Sequence, residues 1–431
     1  MKKIYDRNFI YSFLHPFVNL AVLTSYRQRQ VIGKSRIPED GAVIIAPNHT
    51  NALMDALVIL SSFSDGTIFG TRADIFRKPM LAKIFFNLRM VPMTRVRDGL
   101  RNVAKNHEIS ESVYEALAHG MRFCIFPEGT HRPAHSLLHV GKGTIRMALE
   151  ANEAMGGKKP VYIVPTGIEY GDYFRFRSSV LINFGKAINV TDFVNAHPEL
   201  SEIQAISPLR EQLGKSMSEL ISYAPDDEFM EDKWTLVTLL TNPWRALYSS
   251  MQDRRAVLAK IEQSLVSEQE KTESLLYEVR EFNKERIEAK VSRFSFKSKY
   301  LACRSIFKAV TGLLALPVYI FCAVAALPQL AASLYFVSKS KDRAFLNTAR
   351  FGVKLGGGIL MSVIWAALCF CLVHPWYLAL GAFILCLISF DFVLEYNEFV
   401  RITLSDFRLL FNRKLRNRYA ELIEKSKEII H

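Results

Sequence analysis

Between Val31 and about Tyr223, short apolar runs alternate with longer amphipathic ones. Residues 42–46, 122–126, 162–165 and 180–184 are short, rich in Val, Ile or Phe, and bounded by Gly, Pro or Asn, which predicts strands. Residues 51–63, 78–88, 103–118 and 143–154 repeat their apolar positions at helical spacing. Strands alternating with helices predict an α/β fold, a sheet covered by helices. Functional groups are then expected on loops that leave strand ends.

The pattern changes beyond this region. Residues 207–223 and 231–291 carry many charges and no strand signal. Leu258, Ile261, Leu265, Leu275, Val279, Phe282 and Ile287 recur at three- and four-residue steps, as in a helical arm with solvated charged faces. Residues 355–373 and 376–389 contain no charge, and only Asp391 interrupts the run to Val393. Each stretch is close to the roughly 20 residues a helix needs to cross a bilayer. Pro375 ends the first, and Trp376 and Tyr377 suit the interface, so the pair reads as a transmembrane hairpin.

Residues 309–337 are also uncharged but interrupted by Pro317 and Pro328. They are long for one span and short for two. Lys299, Arg304 and Lys308 precede them; Lys339, Lys341, Arg343, Arg350 and Lys354 follow. Basic flanks stay on one side of a membrane, so a bent, re-entrant or short hairpin is expected rather than a single tilted span. Residues 9–24 are apolar and aromatic behind Met1-Lys2-Lys3. Ser12, His15, Pro16 and Asn19 interrupt any signal-peptide core, and a helix lying on the membrane surface fits better. The expected division is a membrane-interface helix over 1–30, an α/β domain over 31–222 and a helical arm over 223–300. A transmembrane region over 301–395 and a basic C-terminal tail over 396–431 complete it.

Composition sharpens this picture. The 431 residues are 50% hydrophobic and 23% charged, which excludes general disorder. A mean hydropathy of +0.10 fits a soluble part joined to an apolar part. Lys and Arg exceed Asp and Glu by 13, and such a surplus points to a polyanionic partner: nucleic acid, an anionic membrane face or a phosphorylated substrate. Nucleic acid leaves the apolar spans unexplained. The 6 cysteines have neither zinc-ribbon nor thioredoxin spacing, and a small secreted disulfide module is excluded.

Four segments carry candidate chemistry. Pro47-Asn48-His49-Thr50-Asn51-Ala52-Leu53-Met54-Asp55 follows the strand at 42–46. With Asn51 as helix N-cap, Asp55 falls in the opening turns and His49 lies in the loop within its reach. A carboxylate on one ring nitrogen fixes the tautomer and leaves the other nitrogen to take a proton; the structural alternative is a capped loop. Pro127-Glu128-Gly129-Thr130 follows the strand at 122–126 and offers a carboxylate, a hydroxyl and a glycine-adjacent amide to a polar acceptor; an ordinary turn is the alternative. Arg95 and Arg97 leave an extended segment, and their planar forks match phosphate oxygens, although a surface turn has the same look. The last segment is residues 161–169, in which Pro165 is expected to end a buried strand.

Two lookalikes carry less. His131, His135 and His139 repeat every four residues, but Pro133 interrupts any helix and no carboxylate lies among them, so no metal site is expected. Gly141-Lys142-Gly143-Thr144 is like part of a phosphate loop, but Ser136 stands where its opening glycine belongs, and a helix start at Lys142 is expected instead.

In this order the four segments resemble the glycerol-phosphate acyltransferase superfamily, which includes the lysophosphatidate acyltransferases. The resemblance covers roughly residues 31–190. It implies that His49 and Asp55 are the catalytic general-base dyad and that Arg95, Arg97, Glu128, Gly129 and Thr130 bind the acceptor. It also implies that the last segment shapes the acyl-donor site. The family commonly has four residues between the histidine and the aspartate, whereas five separate His49 from Asp55. The longer spacing is similar to fungal-type glycerol-3-phosphate and dihydroxyacetone-phosphate acyltransferases, which also carry C-terminal membrane segments. Arg89 stands where the family usually places a glycine. The resemblance implies a membrane O-acyltransferase of phosphatidate synthesis on the cytoplasmic face. Its partners are acyl-CoA or acyl-carrier protein, a glycerol-phosphate acceptor and membrane lipids, with no metal, cofactor or nucleic acid. The alternatives are another lysolipid acceptor, or a lipid-binding scaffold that kept the fold without catalysis.

Overall fold

The computed structural model describes residues 3–6, 8–64, 66–93, 100–340 and 342–430, which form two compact units, Met1–Ile221 and Ser222–His431. The first unit opens with helix α1 (Phe9–Thr24). Its N-terminus is capped by the Asn8 side chain, which accepts from the Ile10 and Tyr11 amides. Tyr11, Ala21 and Val22 face inward, while Phe9, Phe13, Phe17 and Leu20 are exposed. An exposed apolar stripe of this kind fits a helix that lies on a membrane.

The sheet strands are β1 (Gln28–Ile32), β2 (Ala42–Pro47), β3 (Thr67–Arg72), β4 (Met90–Met93), β5 (Arg122–Cys124), β6 (Val161–Tyr170), β7 (Ser179–Phe184) and β8 (Ile188–Asn189). Among the described residues they run in the order β1-β7-β6-β2-β5-β3-β4, with β8 on β6. β6, β2, β5, β3 and β4 are mutually parallel, and β7 and β8 run antiparallel to β6. The helices between them are α2 (Leu53–Leu60), α3 (Pro79–Asn87), α4 (Leu100–Ala118), α5 (Lys142–Met155), α6 (Val190–Ala196) and α7 (Glu202–Ser218). Ile44, Ile68, Phe123 and Ile163 on one sheet face pack against Val113 and Leu117 of α4, Ile145 and Ala148 of α5, and Leu209 and Leu213 of α7. Each such burial stabilises by roughly 1.5–3 kcal/mol, which makes this face a rigid floor for the loops at the strand ends.

Pro165 does not end β6, contrary to expectation. Residues 162 and 163 pair with β8 and residues 166–170 pair with β7, so Pro165 sits where β6 changes partner on that side. Its missing N–H is not needed there. Arg89, in the place where a glycine was expected, adopts φ +60°, the left-handed conformation that glycine enters without strain.

The second unit is helical among its described residues. α8 (Met230–Leu240), α9 (Leu247–Ser267) and α10 (Gln269–Glu288) form the arm. Leu258, Ile261, Leu275, Val279 and Phe282 are buried there as their spacing predicts, and Leu265 packs at the margin. Ile287 is 58% exposed, having turned away from the core at the end of α10. Then come α11 (Leu301–Ala325), α12 (Leu327–Lys339), α13 (Leu346–Gly352), a π-turn (Val353–Gly357), α14 (Gly358–Val373), α15 (Trp376–Phe411) and α16 (Arg413–Ile429). Residues 396–430 are helical for the most part, and Leu409, Leu415 and Leu422 enter the core of the arm.

Leu301–Ala325, Arg343–Val373 and Trp376–Phe411 are each long and apolar enough to cross a bilayer. The 309–337 segment bends at Ala326, between α11 and α12, with Pro328 in the first turn of α12. α14 ends at Val373, where His374 takes φ +69° and Pro375 caps α15. Lys354 and Asp391 form an ion pair across the hairpin. At 1.5 Å per residue the pair lies about 23–29 Å along the helices from the turn, toward the far boundary of a hydrocarbon layer.

Candidate active site

β2 and β5 are parallel neighbours with Ile45 opposite Cys124, so their loops leave the same sheet edge. His49 and Glu128 each lie four residues beyond that pair. The register therefore brings them together: the His49 backbone N–H donates to Glu128 Oε1 at 2.9 Å. The other Glu128 oxygen accepts from the Leu138 N–H at 3.0 Å. Glu128 thus ties the His49 loop to both ends of the 127–138 loop. Burial pushes its carboxyl up to about 7, outweighing the two amide bonds that pull it down.

α2 begins at Leu53 after Ala52, and Asn51 makes no side-chain cap. Asp55 does that work from within the first turn. Its fully buried Oδ2 accepts the Thr50 and Asn51 N–H groups at 2.7 Å each, and His49 Nδ1 at 2.8 Å. Oδ1 accepts the Tyr170 hydroxyl at 2.7 Å. A carboxylate only accepts, so Nδ1 of His49 carries the proton in this bond and Nε2 carries the lone pair. The His49 ring stacks on Phe126 with centroids 4.1 Å apart, and the side chain is 17% exposed. Ala52 holds φ +46°, strained for a residue with a Cβ, in the turn that lets the chain fold back from His49 onto Asp55.

The sequence reading gave no individual role to Asn48, Phe126 or Tyr170. The Asn48 amide bridges to β6, donating to the Ile168 carbonyl at 3.0 Å and accepting the Ile168 N–H at 2.6 Å. Tyr170 ends β6, and burial beside Asp55 drives its phenol well up, so it stays a donor. A tyrosine at the end of a buried strand, next to strands that carry a His–Asp block, was the signal that could have found it. Gly129 takes φ +64° with its N–H on the Phe126 carbonyl at 3.1 Å, a tight turn that needs glycine, and both Gly129 and Thr130 are exposed.

Arg95 and Arg97 lie outside the described residues. A cationic residue of the described loop is Arg132, whose backbone N–H donates to the His49 carbonyl at 3.1 Å and whose guanidinium donates to Ser136 Oγ at 2.5 Å. His131 stands edge-on to His49 at 5.3 Å between ring centroids. His135 contacts Tyr173 and His139 meets Arg210, so the three histidines do not share a helix face. Among the described residues no three metal-ligating side chains cluster. Lys142 starts α5 behind Gly141, as expected. Cys124 is buried in β5, and burial raises its thiol well above the usual range, the opposite of what an activated nucleophile needs.

Residues 28–169 match the family model described as Acyltransferase. Over 195 residues the chain is 25% identical to a 1-acyl-sn-glycerol-3-phosphate acyltransferase of Borreliella burgdorferi, spanning 43% of this chain and 70% of the relative. Over 121 residues it is 31% identical to Glycerol-3-phosphate O-acyltransferase 2 of Saccharomyces cerevisiae, spanning 28% of this chain but only 16% of that much longer relative. The crystal structure of a 1-acyl-sn-glycerophosphate acyltransferase from Thermotoga maritima aligns with a TM-score of 0.36 and 21% identity, over 49% of this chain and 79% of that one. The matched residues hold β2, β5, the His49–Asp55 pair and the Glu128 loop, so the likeness to the acyltransferase family falls on the part of the chain that builds the site.

Proposed function

We propose that this protein is a membrane-bound glycerolipid O-acyltransferase, working at the cytoplasmic face. It moves a fatty acyl group from acyl-CoA or acyl-carrier protein to a hydroxyl of glycerol 3-phosphate or 1-acylglycerol 3-phosphate. The observation that carries this reading is the His49 imidazole held through Nδ1 by a buried carboxylate with three further donors. Nε2 takes the proton of the acceptor hydroxyl as its oxygen attacks the thioester carbonyl. The tetrahedral adduct collapses, the C–S bond breaks, and the thiolate leaves with the proton returned from the imidazolium. One ester replaces one thioester, with no covalent enzyme intermediate, metal or cofactor. Asp55 holds the tautomer and stabilises the imidazolium.

Arg95 and Arg97 take the acceptor phosphate in this reading, while Gly129 and Thr130 border the acceptor. The engagement of both Glu128 oxygens by backbone amides supports a positioning role for that residue instead. The five-residue His–Asp spacing favours glycerol 3-phosphate as acceptor. Detergent-solubilised protein given labelled acyl donor with each acceptor in parallel tests this. Product from glycerol 3-phosphate, lost in His49→Ala, is expected. Turnover by His49→Ala at the wild-type rate would remove the general-base assignment, and no product from either acceptor would point to a non-catalytic lipid-binding role.

A further inference from the structure

In the second unit, α12, α13, the π-turn and α14 enclose a cleft of about 680 Å³. That is the size of a small-molecule site. Pro328, Ala332, Phe336, Ala349 and Met361 give it an apolar wall, and among the described residues no charged side chain lines it. Gln329 belongs to this wall, in the first turn of α12, and is 2% exposed, so a side-chain rotation has to bring its amide to the cleft surface. Neither its Nε2 nor its Oε1 has a hydrogen-bond partner, and the Thr348 hydroxyl, also lining the cleft, has none. Amides buried among apolar helices are normally satisfied, because hydrocarbon offers no substitute for water. The π-turn at Val353–Gly357 widens the helix at the same place, and such turns recur at binding sites. From Gln329 to Ser340 the cleft follows α12 for about 16 Å, a long and narrow shape.

We propose that this cleft binds a single-chain acylglycerol, its chain along α12 and its hydroxy-ester head on Gln329. The primary amide matches that head: Nε2–H donates to the ester carbonyl, and Oε1 accepts the neighbouring free hydroxyl. A free fatty acid would bring an unpaired charge to a wall that shows no charged side chain among the described residues, and phosphatidate has no free glycerol hydroxyl to donate. The site lies wholly within the second unit and does not depend on acyl transfer.

The test is photolabelling of the full-length His49→Ala protein in detergent, where turnover plays no part. The probes are diazirine-tagged 1-acylglycerol, 1-acylglycerol 3-phosphate, phosphatidate and free fatty acid. Both hydroxy-ester probes should label peptides within residues 327–361, at least fivefold above phosphatidate and fatty acid. Equal labelling by the two shows that the hydroxy-ester is what is read; labelling by the phosphorylated one alone would overturn the role given to an uncharged wall. Gln329→Leu keeps the bulk and removes the amide, so it should lower labelling at least fivefold. Gly352 lines the cleft with φ −60°, and an added Cβ there meets nothing within 4 Å, so Gly352→Leu should fill the cleft without strain and do the same. Labelling elsewhere, labelling indifferent to both variants, or equal labelling by fatty acid would overturn the proposal. A disulfide linking two copies through Ala332→Cys would assign the cleft to a second copy of the chain instead.

Discussion

Asp55 gathers four donors on two oxygens without any contact with solvent. Its charge is therefore needed to hold the loop as well as to orient His49. Replacing Asp55 with Asn puts an NH₂ against donors, so both stability and rate should fall together. His49 has a different position, since its side chain is partly exposed and only its Nδ1 is engaged with Asp55. His49→Ala should lower kcat by about 10²–10⁴ and leave the melting temperature nearly unchanged; a large loss of stability would make His49 a structural residue. Tyr170→Phe removes one donor from a buried oxygen. It should cost about 1–3 kcal/mol in denaturant unfolding and slow turnover less than His49→Ala does.

At the scale of elements, the Glu128 tether is tied to pH. Its carboxyl, ordinarily near 4.5, is raised to about 7 in the folded protein. The folded state thus binds this proton more tightly than the unfolded one, so the associated stability is present below about pH 4.5 and fades as pH rises through about 7. Glu128→Gln does not ionise. Its melting temperature relative to wild type should therefore climb between about pH 5 and pH 8, and a constant difference would show that Glu128 does not titrate there. The charged form is the one that accepts both amides, so activity should favour the higher pH even as stability declines.

Ala52 raises a related conflict. Ala52→Gly relieves a strain of about 1–3 kcal/mol and gives up about 0.8 kcal/mol of methyl burial. The loop should therefore become more stable by about 1 kcal/mol, with kcat lower because the His49 turn loosens; unchanged or reduced stability would mean the turn is unstrained.

The elements show where sequence was informative. β2, β5 and β7 announced themselves because they are short and apolar between turn residues. β1 did not: Gln28-Arg29-Gln30 is polar because the strand lies at the sheet edge beside β7 and needs no second covered face. β3 was hidden by Gly70, where an added Cβ would meet the Phe123 ring at 3.0 Å, so a packing constraint had erased the strand signal. The His49–Asp55 pair was legible because its residues are close in the chain. Tyr170 and the amide contacts of Glu128 come from sheet register, which spacing along one chain does not reveal.

Across the whole molecule, the three long apolar helices predict how the protein leaves a membrane. Alkaline carbonate and high salt should both leave the full chain in the membrane pellet, with detergent required for release. Recovery in the carbonate supernatant would mean that the surplus of 13 positive charges, rather than the apolar helices, holds it there. The tight link at His374-Pro375 has a consequence for topology mapping. Two helices joined by two residues must go out and come back together, so they add an even number of crossings. Cysteines placed by Arg343→Cys and Arg413→Cys should therefore react with an impermeant thiol reagent from the same compartment. A fusion at the C-terminus then reports the side on which the basic stretch before the hairpin resides, and an opposite result at the two positions would mean that one of the pair does not cross.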